Sequence, residues 1–272
     1  MPTTTACLTT YTENKLLDHL LRSTAWALPT GYLGLLQGNP TDGGASSAEV
    51  TTAGTNGYAR QAVGTGGGCV FSAAASGSIT TNTNVTWGPS TGGPWGTASY
   101  VGMWDALTGG NLIFYCDSTN VAVPTNDSYR ITTGNLTLAW TASSALATAI
   151  KNSLLDHIVG RTSYSSPTPY IALYNGNPLG AGAEVAVAGA DGYARVALAA
   201  KMAAASGGSI ASNAQIDYGP ASADWSDSTY YSIMTASTGG DVILGAPLDS
   251  TITVSNGQST YFASGGLIIT LD

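Results

Sequence analysis

Charge is what this sequence has least of. Of its 272 residues, 8 are Lys or Arg and 16 are Asp or Glu, for a formal net charge of −8. The basic residues fall four to each half, 1–140 and 141–272, so no cationic patch forms that could neutralise a phosphate backbone. Nucleic acid is excluded as a partner on that ground, and an anionic membrane surface with it. Histidine is scarcer still, with His19 and His157 alone. Cysteine is limited to Cys7, Cys69 and Cys116, an odd set with no Cys-x-x-Cys spacing, which argues against a disulfide framework or zinc site and for free thiols. No apolar run approaches the roughly 18 residues of a membrane helix, and the polar opening Met1–Thr5 lacks the basic and apolar regions of a secretion signal. Neither a span nor a signal is expected.

The shortage of charge does not imply disorder, because 43% of the residues are hydrophobic and 35 are Gly. A packed protein with a hydroxyl-rich surface is expected, and each half is long enough to bury a core of its own.

What the sequence does contain is a repeat. Leu16-Leu17-Asp18-His19 returns as Leu154-Leu155-Asp156-His157, Gly38-Asn39-Pro40 as Gly176-Asn177-Pro178, and Gly57-Tyr58-Ala59-Arg60 as Gly192-Tyr193-Ala194-Arg195. Further on, Trp87-Gly88-Pro89 answers to Tyr218-Gly219-Pro220, Trp95 to Trp225, and Thr108–Asn111 to Thr238–Asp241. The spacing between matched motifs shortens along the chain, which places short deletions in loops such as Thr41–Ser47 and Gly64–Gly68. So long a period with two copies is a domain duplication and not a solenoid.

Within each copy the leucine spacing over Lys15–Arg22, and the Ile and Leu spacing over Ala147–Val159, predicts a short amphipathic helix. The pattern then switches to period two. Tyr32–Leu36 and Tyr170–Tyr174 read as strands ending in turn residues, followed by Tyr193–Leu198, Ile216–Tyr218, Tyr230–Met234, Val242–Leu244, Ile252–Val254, Thr260–Phe262 and Leu267–Leu271. About eight short strands per copy leave no room for crossover helices, so the sheets are expected to be antiparallel. The fold class is mainly β: two tandem antiparallel, jelly-roll-like β-sandwich domains, 1–140 and 141–272, each opened by a short helix. The boundary is expected near Trp140–Ser144.

Catalytic chemistry finds little support. The two histidines occupy equivalent positions beside a Leu stripe, and Asp18 and Asp156, one residue earlier on a helix, cannot orient the neighbouring ring. No nucleophile elbow, phosphate-binding loop or dinucleotide fingerprint occurs. Asp217, Asp224 and Asp227 are the densest carboxylates, but their first-copy counterparts are uncharged, so a glycosidase pair or calcium site is not expected. Catalytic, cofactor and metal sites are all read as none. Aromatics offer more. Trp87 and Trp95 in the first copy, and Tyr218, Trp225 and Tyr230 in the second, are the candidate partner surface, with Trp95 and Trp225 expected to be exposed because small or polar residues flank them.

The order of motifs carries a resemblance. A Leu-Leu-Asp-His helix, a strand running into Asn-Pro, then Gly192–Arg195, Gly207–Ile210, Gly219–Trp225, Thr238–Asp241 and a closing apolar strand together resemble small virion proteins of tailed bacteriophages. Those proteins are described as tail-fibre, minor structural or capsid-decoration proteins. The similarity spans nearly all of each copy, more cleanly the second. The duplication departs from the usual pattern, as does Gly92-Gly93-Pro94 before Trp95 where the second copy has Ala223-Asp224. The resemblance implies a non-enzymatic component of the virion, assembled in the host cytoplasm, with other virion proteins as partners and homo-oligomers as the expected state. Exterior capsid decoration or cement is the leading expectation, because two tethered copies can bridge neighbouring lattice sites. A tail, neck or fibre component touching host-surface glycans is the alternative.

Overall fold

The computed structural model describes residues 4–5, 7–44, 48–52, 54–140 and 145–271. The expected boundary stretch Thr141–Ser144 and part of the Thr41–Ser47 loop lie outside the described residues.

Both predicted helices form, α1 over Thr10–Leu21 and α2 over Thr148–Ile158. Leu16, Leu17, Leu20 and Leu21 are fully buried, as are Leu154, Leu155, Ile158 and Val159. Removing each such side chain from water is worth about 2 kcal/mol. α1 starts before Lys15 because the Thr9 carbonyl accepts the Glu13 amide while the Thr12 hydroxyl donates to the Ile113 carbonyl at 2.7 Å. At the far ends, the Asp18 carbonyl accepts the amides of Arg22 and Thr24, and the Asp156 carbonyl those of Arg161 and Thr162. The histidines fix the chain that leaves each helix. His19 Nδ1 accepts the Trp26 amide at 3.0 Å and His157 Nδ1 the Tyr164 amide at 3.1 Å. Both rings are buried and take structural roles.

Among the described residues, eight strands run from Tyr32 to Ala139 and eight from Tyr170 to Thr270. Three strands of each copy build the larger sheet: β1 (Tyr32–Leu36), β2 (Gly96–Trp104) and β3 (Leu112–Val123), then β4 (Tyr170–Tyr174), β5 (Ser228–Met234) and β6 (Val242–Ile252). In the first copy the order is Cys7–Leu8, β3, β2, β1, Gln61–Ala62, and in the second β6, β5, β4, Val196–Ala197, antiparallel throughout. Two short pairs of strands distant in sequence accompany each sheet. Val85–Trp87 pairs with Tyr129–Ile131 and Ser78–Thr80 with Leu136–Ala139; in the second copy Ile216–Tyr218 pairs with Thr260–Phe262 and Ser209–Ala211 with Ile268–Thr270. These pairs face the large sheet, as the Trp87 indole N–H shows by donating to the Leu33 carbonyl at 3.3 Å. The protein is therefore mainly β, with antiparallel sheets in two tandem copies, apart from Thr4–Thr5, which joins Leu136–Thr137 in parallel. Of two predicted strands, Val242–Leu244 opens the single long strand β6, whereas Ile252–Val254 contributes only its last residue, Ile252, with Thr253 and Val254 beyond the strand.

The compact units do not follow the repeat. Unit 1 comprises Met1–Glu13, Ala27–Ala142 and Lys151–Tyr164, and unit 2 comprises Asn14–Trp26, Ser143–Ile150 and Ser165–Asp272. Most of α1 thus belongs with the second copy's strands, and most of α2 with the first copy's. Sequence order places each helix with the strands that follow it; the structure exchanges them.

Candidate functional site

Four of the five aromatic candidates are core. Trp87 is 0%, Trp95 1%, Tyr218 2% and Trp225 4% exposed. Trp95 and Trp225 are buried because each indole N–H reaches a distant backbone carbonyl, Asn56 at 2.8 Å and Asp191 at 2.9 Å. Each also packs edge-on against a tyrosine, Tyr58 at 5.4 Å and Tyr193 at 5.2 Å between ring centres. Trp87 packs on Tyr129 and Tyr218 stacks on Tyr193. The expected exposure of Trp95 and Trp225 is corrected on these grounds, and all four rings are too deeply packed to reach a partner without unfolding.

Tyr230 alone of the five is partly exposed. It lies on a sheet face with Ala172, Tyr174 and Met234, beside Tyr170 and Val242. Unit 1 carries the matching face: Leu36, Trp104 and Leu112 buried, with Tyr100 and Tyr115 partly exposed around them. The two faces pack by different means. In unit 1 Gly34 sits opposite Gly102, and Trp104 fills the space that they leave. In unit 2 Ala172 sits opposite Ser232, and the smaller Met234 stands where Trp104 does.

The repeated Gly-Tyr-Ala-Arg motif proves to be a clamp. Arg60 donates from Nε and Nη2 to the two oxygens of Glu49, at 3.1 and 2.8 Å, and from Nη1 to the carbonyls of Ala106 and Gly109, at 2.6 and 2.7 Å. Tyr58 donates to Glu49 at 2.7 Å and accepts the Leu35 amide at 2.8 Å. Unit 2 repeats the set with Arg195, Glu184, the carbonyls of Ala236 and Gly239, Tyr193 and the Leu173 amide. Burial pushes both tyrosine hydroxyls well above their ordinary range, and the adjacent carboxylate adds to it. A carboxylate held by a bidentate guanidinium and a phenol, with the same guanidinium bonded to two loop carbonyls, ties separate loops together. What it fixes is the hairpin loop 105–111, with Leu107 half-exposed at its tip. Beside that loop runs a groove of about 290 Å³ lined by Glu49, Thr51, Thr52, Thr108 and Gly109. Sequence reasoning noted the motif but missed its partner; the signal was a Glu nine or more residues upstream of Tyr-x-Arg in both copies.

The suspected carboxylates do local work. Asp224 accepts the Asn256 amide at 2.7 Å, Asp227 the Thr253 hydroxyl at 2.6 Å, and Asp217 the Gln215 side chain. Among the described residues no cluster of three His, Cys, Asp or Glu is placed to hold a metal, and no helix is long and apolar enough to cross a membrane.

The sequence model of the family described as podophage GP4 fiber I protein gp80 matches residues 7–139 and again residues 145–270. The chain belongs to this family. Comparison with curated proteins finds no match. As a gp80-family fibre protein with the family's sequence in two tandem copies, the chain is a structural protein of a phage virion. The matched segments each begin ahead of a helix and end on the final residue of a copy's last strand, so the family unit is helix plus strands in sequence order.

Proposed function

We propose that this protein is a non-catalytic fibre component of a podophage-like particle, joined to tail or neck proteins and built in the host cytoplasm. The observation that carries this reading is the fibre-family match repeated over both copies. The loops clamped by bidentate Glu–Arg pairs suit a rigid display scaffold. The half-exposed tyrosine faces, Tyr100 and Tyr115 in unit 1 and Tyr170 and Tyr230 in unit 2, are the surfaces offered to a virion partner or to a host-surface glycan, since aromatic rings with a polar tip suit both.

Capsid decoration remains the second reading, favoured by the duplication itself, because two linked copies convert weak lattice contacts into tight binding. One measurement separates them: the copy number per purified particle relative to the major capsid protein. A handful to a few dozen copies supports the fibre, hundreds of copies support decoration, and absence from the particle refutes both.

A further inference from the structure

The helix that completes each unit is read by hydrogen bonds as well as by apolar packing. In unit 1 the tight turn Ala75-Ser76-Gly77-Ser78 has Ser76 at φ 52° and Gly77 at φ 76°, with Ala75 and Ser78 exchanging both backbone bonds. This is the primed two-residue hairpin, whose second central amide points away from the ladder and needs another acceptor. The acceptor is Asn152 Oδ1 of α2, 2.8 Å from the Gly77 nitrogen. One helical turn on, Asp156 Oδ1 accepts the Ala74 amide at 3.2 Å. Unit 2 repeats the arrangement at Ser206-Gly207-Gly208-Ser209, where Asn14 accepts the Gly208 amide and Asp18 the Ala205 amide, both at 3.0 Å. Asn and Asp stand four apart on each helix and so share a face. Each Asp is steadied by an arginine of its own segment, Arg22 for Asp18 and Arg161 for Asp156.

Residues of one type, in one geometry, thus make the same contact twice: the first copy's helix on the second copy's hairpin, and the second copy's helix on the first copy's hairpin. Reciprocity of this kind is the rule for a two-fold homodimer that exchanges an identical element. We infer that the chain carries a subunit interface within itself: the two sequence copies hold each other by mutual helix donation, and the connection through residues 141–144 is not what holds them. The partner that each strand body takes is the amphipathic helix of the other copy, with its Asn and Asp reading the hairpin and its Leu and Ile stripe covering the core. The covalent link makes the pairing intramolecular and so independent of concentration. This inference stands apart from the fibre reading, since it concerns how the chain is held together wherever it is mounted.

The test uses the whole chain with a site-specific protease sequence inserted between Thr141 and Ala142. After complete cleavage, native mass spectrometry on dilution should return one species with the mass of both fragments, parting only in denaturant. Release of separate fragments, folded or unfolded, overturns the inference. A second measurement needs no cut. Asn152→Ala with Asp156→Ala in the intact chain should speed amide exchange at Ala74 and Gly77 by roughly tenfold and leave Ala205 and Gly208 unchanged. Faster exchange at Ala205 and Gly208 instead, or at neither hairpin, also overturns it.

Discussion

The guanidinium carbon of Arg60 stands 4.0 Å from the centre of the Trp104 ring. The same arginine holds Glu49 and two loop carbonyls, so one buried cation ties the sheet's outer aromatic face to the loops at its end. Trp104 fits because Gly34 and Gly102 have no side chains; a Cβ on either would lie 2.9 Å from its ring.

Gly102→Ala should therefore destabilise the protein by about 1–3 kcal/mol through overpacking. Adding Trp104→Met, which puts the smaller side chain of unit 2's Met234 at that position, should recover part of that loss. Urea unfolding of the single and double variants checks both expectations, and a neutral single variant would contradict the packing argument.

Arg60→Ala and Arg195→Ala leave a partly exposed carboxylate and two loop carbonyls without their donor, so a loss of about 1–3 kcal/mol is expected from each. Arg→Lys should restore little, because one ammonium cannot reproduce the bidentate fork. Thermal melts together with amide exchange in loops 105–111 and 235–241 read this out, and loop exchange that does not change would count against the clamp.

The tyrosines should divide by their hydrogen bonds. Tyr193→Phe strands the Leu173 amide and should cost about 1–3 kcal/mol, whereas the buried Tyr218 hydroxyl makes no hydrogen bond, so Tyr218→Phe should be neutral or slightly stabilising. Burial raises the Tyr58, Tyr193 and Tyr218 hydroxyls above the ordinary value near 10 shown by an unfolded chain. The sign follows from linkage. Their contribution is complete below pH 10 and is lost as the pH rises above it, because the unfolded state ionises first. A pH series of urea midpoints should fall above about pH 10, less steeply in the Tyr218→Phe variant.

Trp95→Ala and Tyr230→Ala should part company. The first removes a buried indole and should cost about 3–5 kcal/mol. The second should leave the melting temperature nearly unchanged but reduce incorporation into particles or adsorption to the host. Wild-type incorporation and adsorption with Tyr230→Ala would remove that sheet face from the partner surface.

Thiol labelling should be selective. Cys7 is exposed, Cys69 and Cys116 are buried, and burial pushes the Cys69 thiol up to about 12. One thiol per native chain should react near pH 8, and all three after unfolding. Native labelling of Cys69 would contradict the packing of unit 1.

Much was legible in particular residues. The motif order, the leucine stripe of α1 and the two-residue alternation of Tyr170–Tyr174 each depend on neighbours a few positions away, so duplication, helices and most strands could be read directly. Trp95 and Trp225 could not, because their flanking residues are small and polar while the groups that bury them, Tyr58 with Asn56 and Tyr193 with Asp191, lie more than thirty positions away.

The sequence by itself determined that this is a duplicated, charge-poor, mainly β protein whose copies each open with an amphipathic helix. The tertiary structure decided which strands each helix completes. A leucine stripe with Asn and Asp beside it fits either copy's hairpin equally well, since both hairpins present the same pair of outward amides. Local chemistry is therefore degenerate between own-copy and exchanged packing, and the path of the chain through 22–31 and 159–169 resolves it.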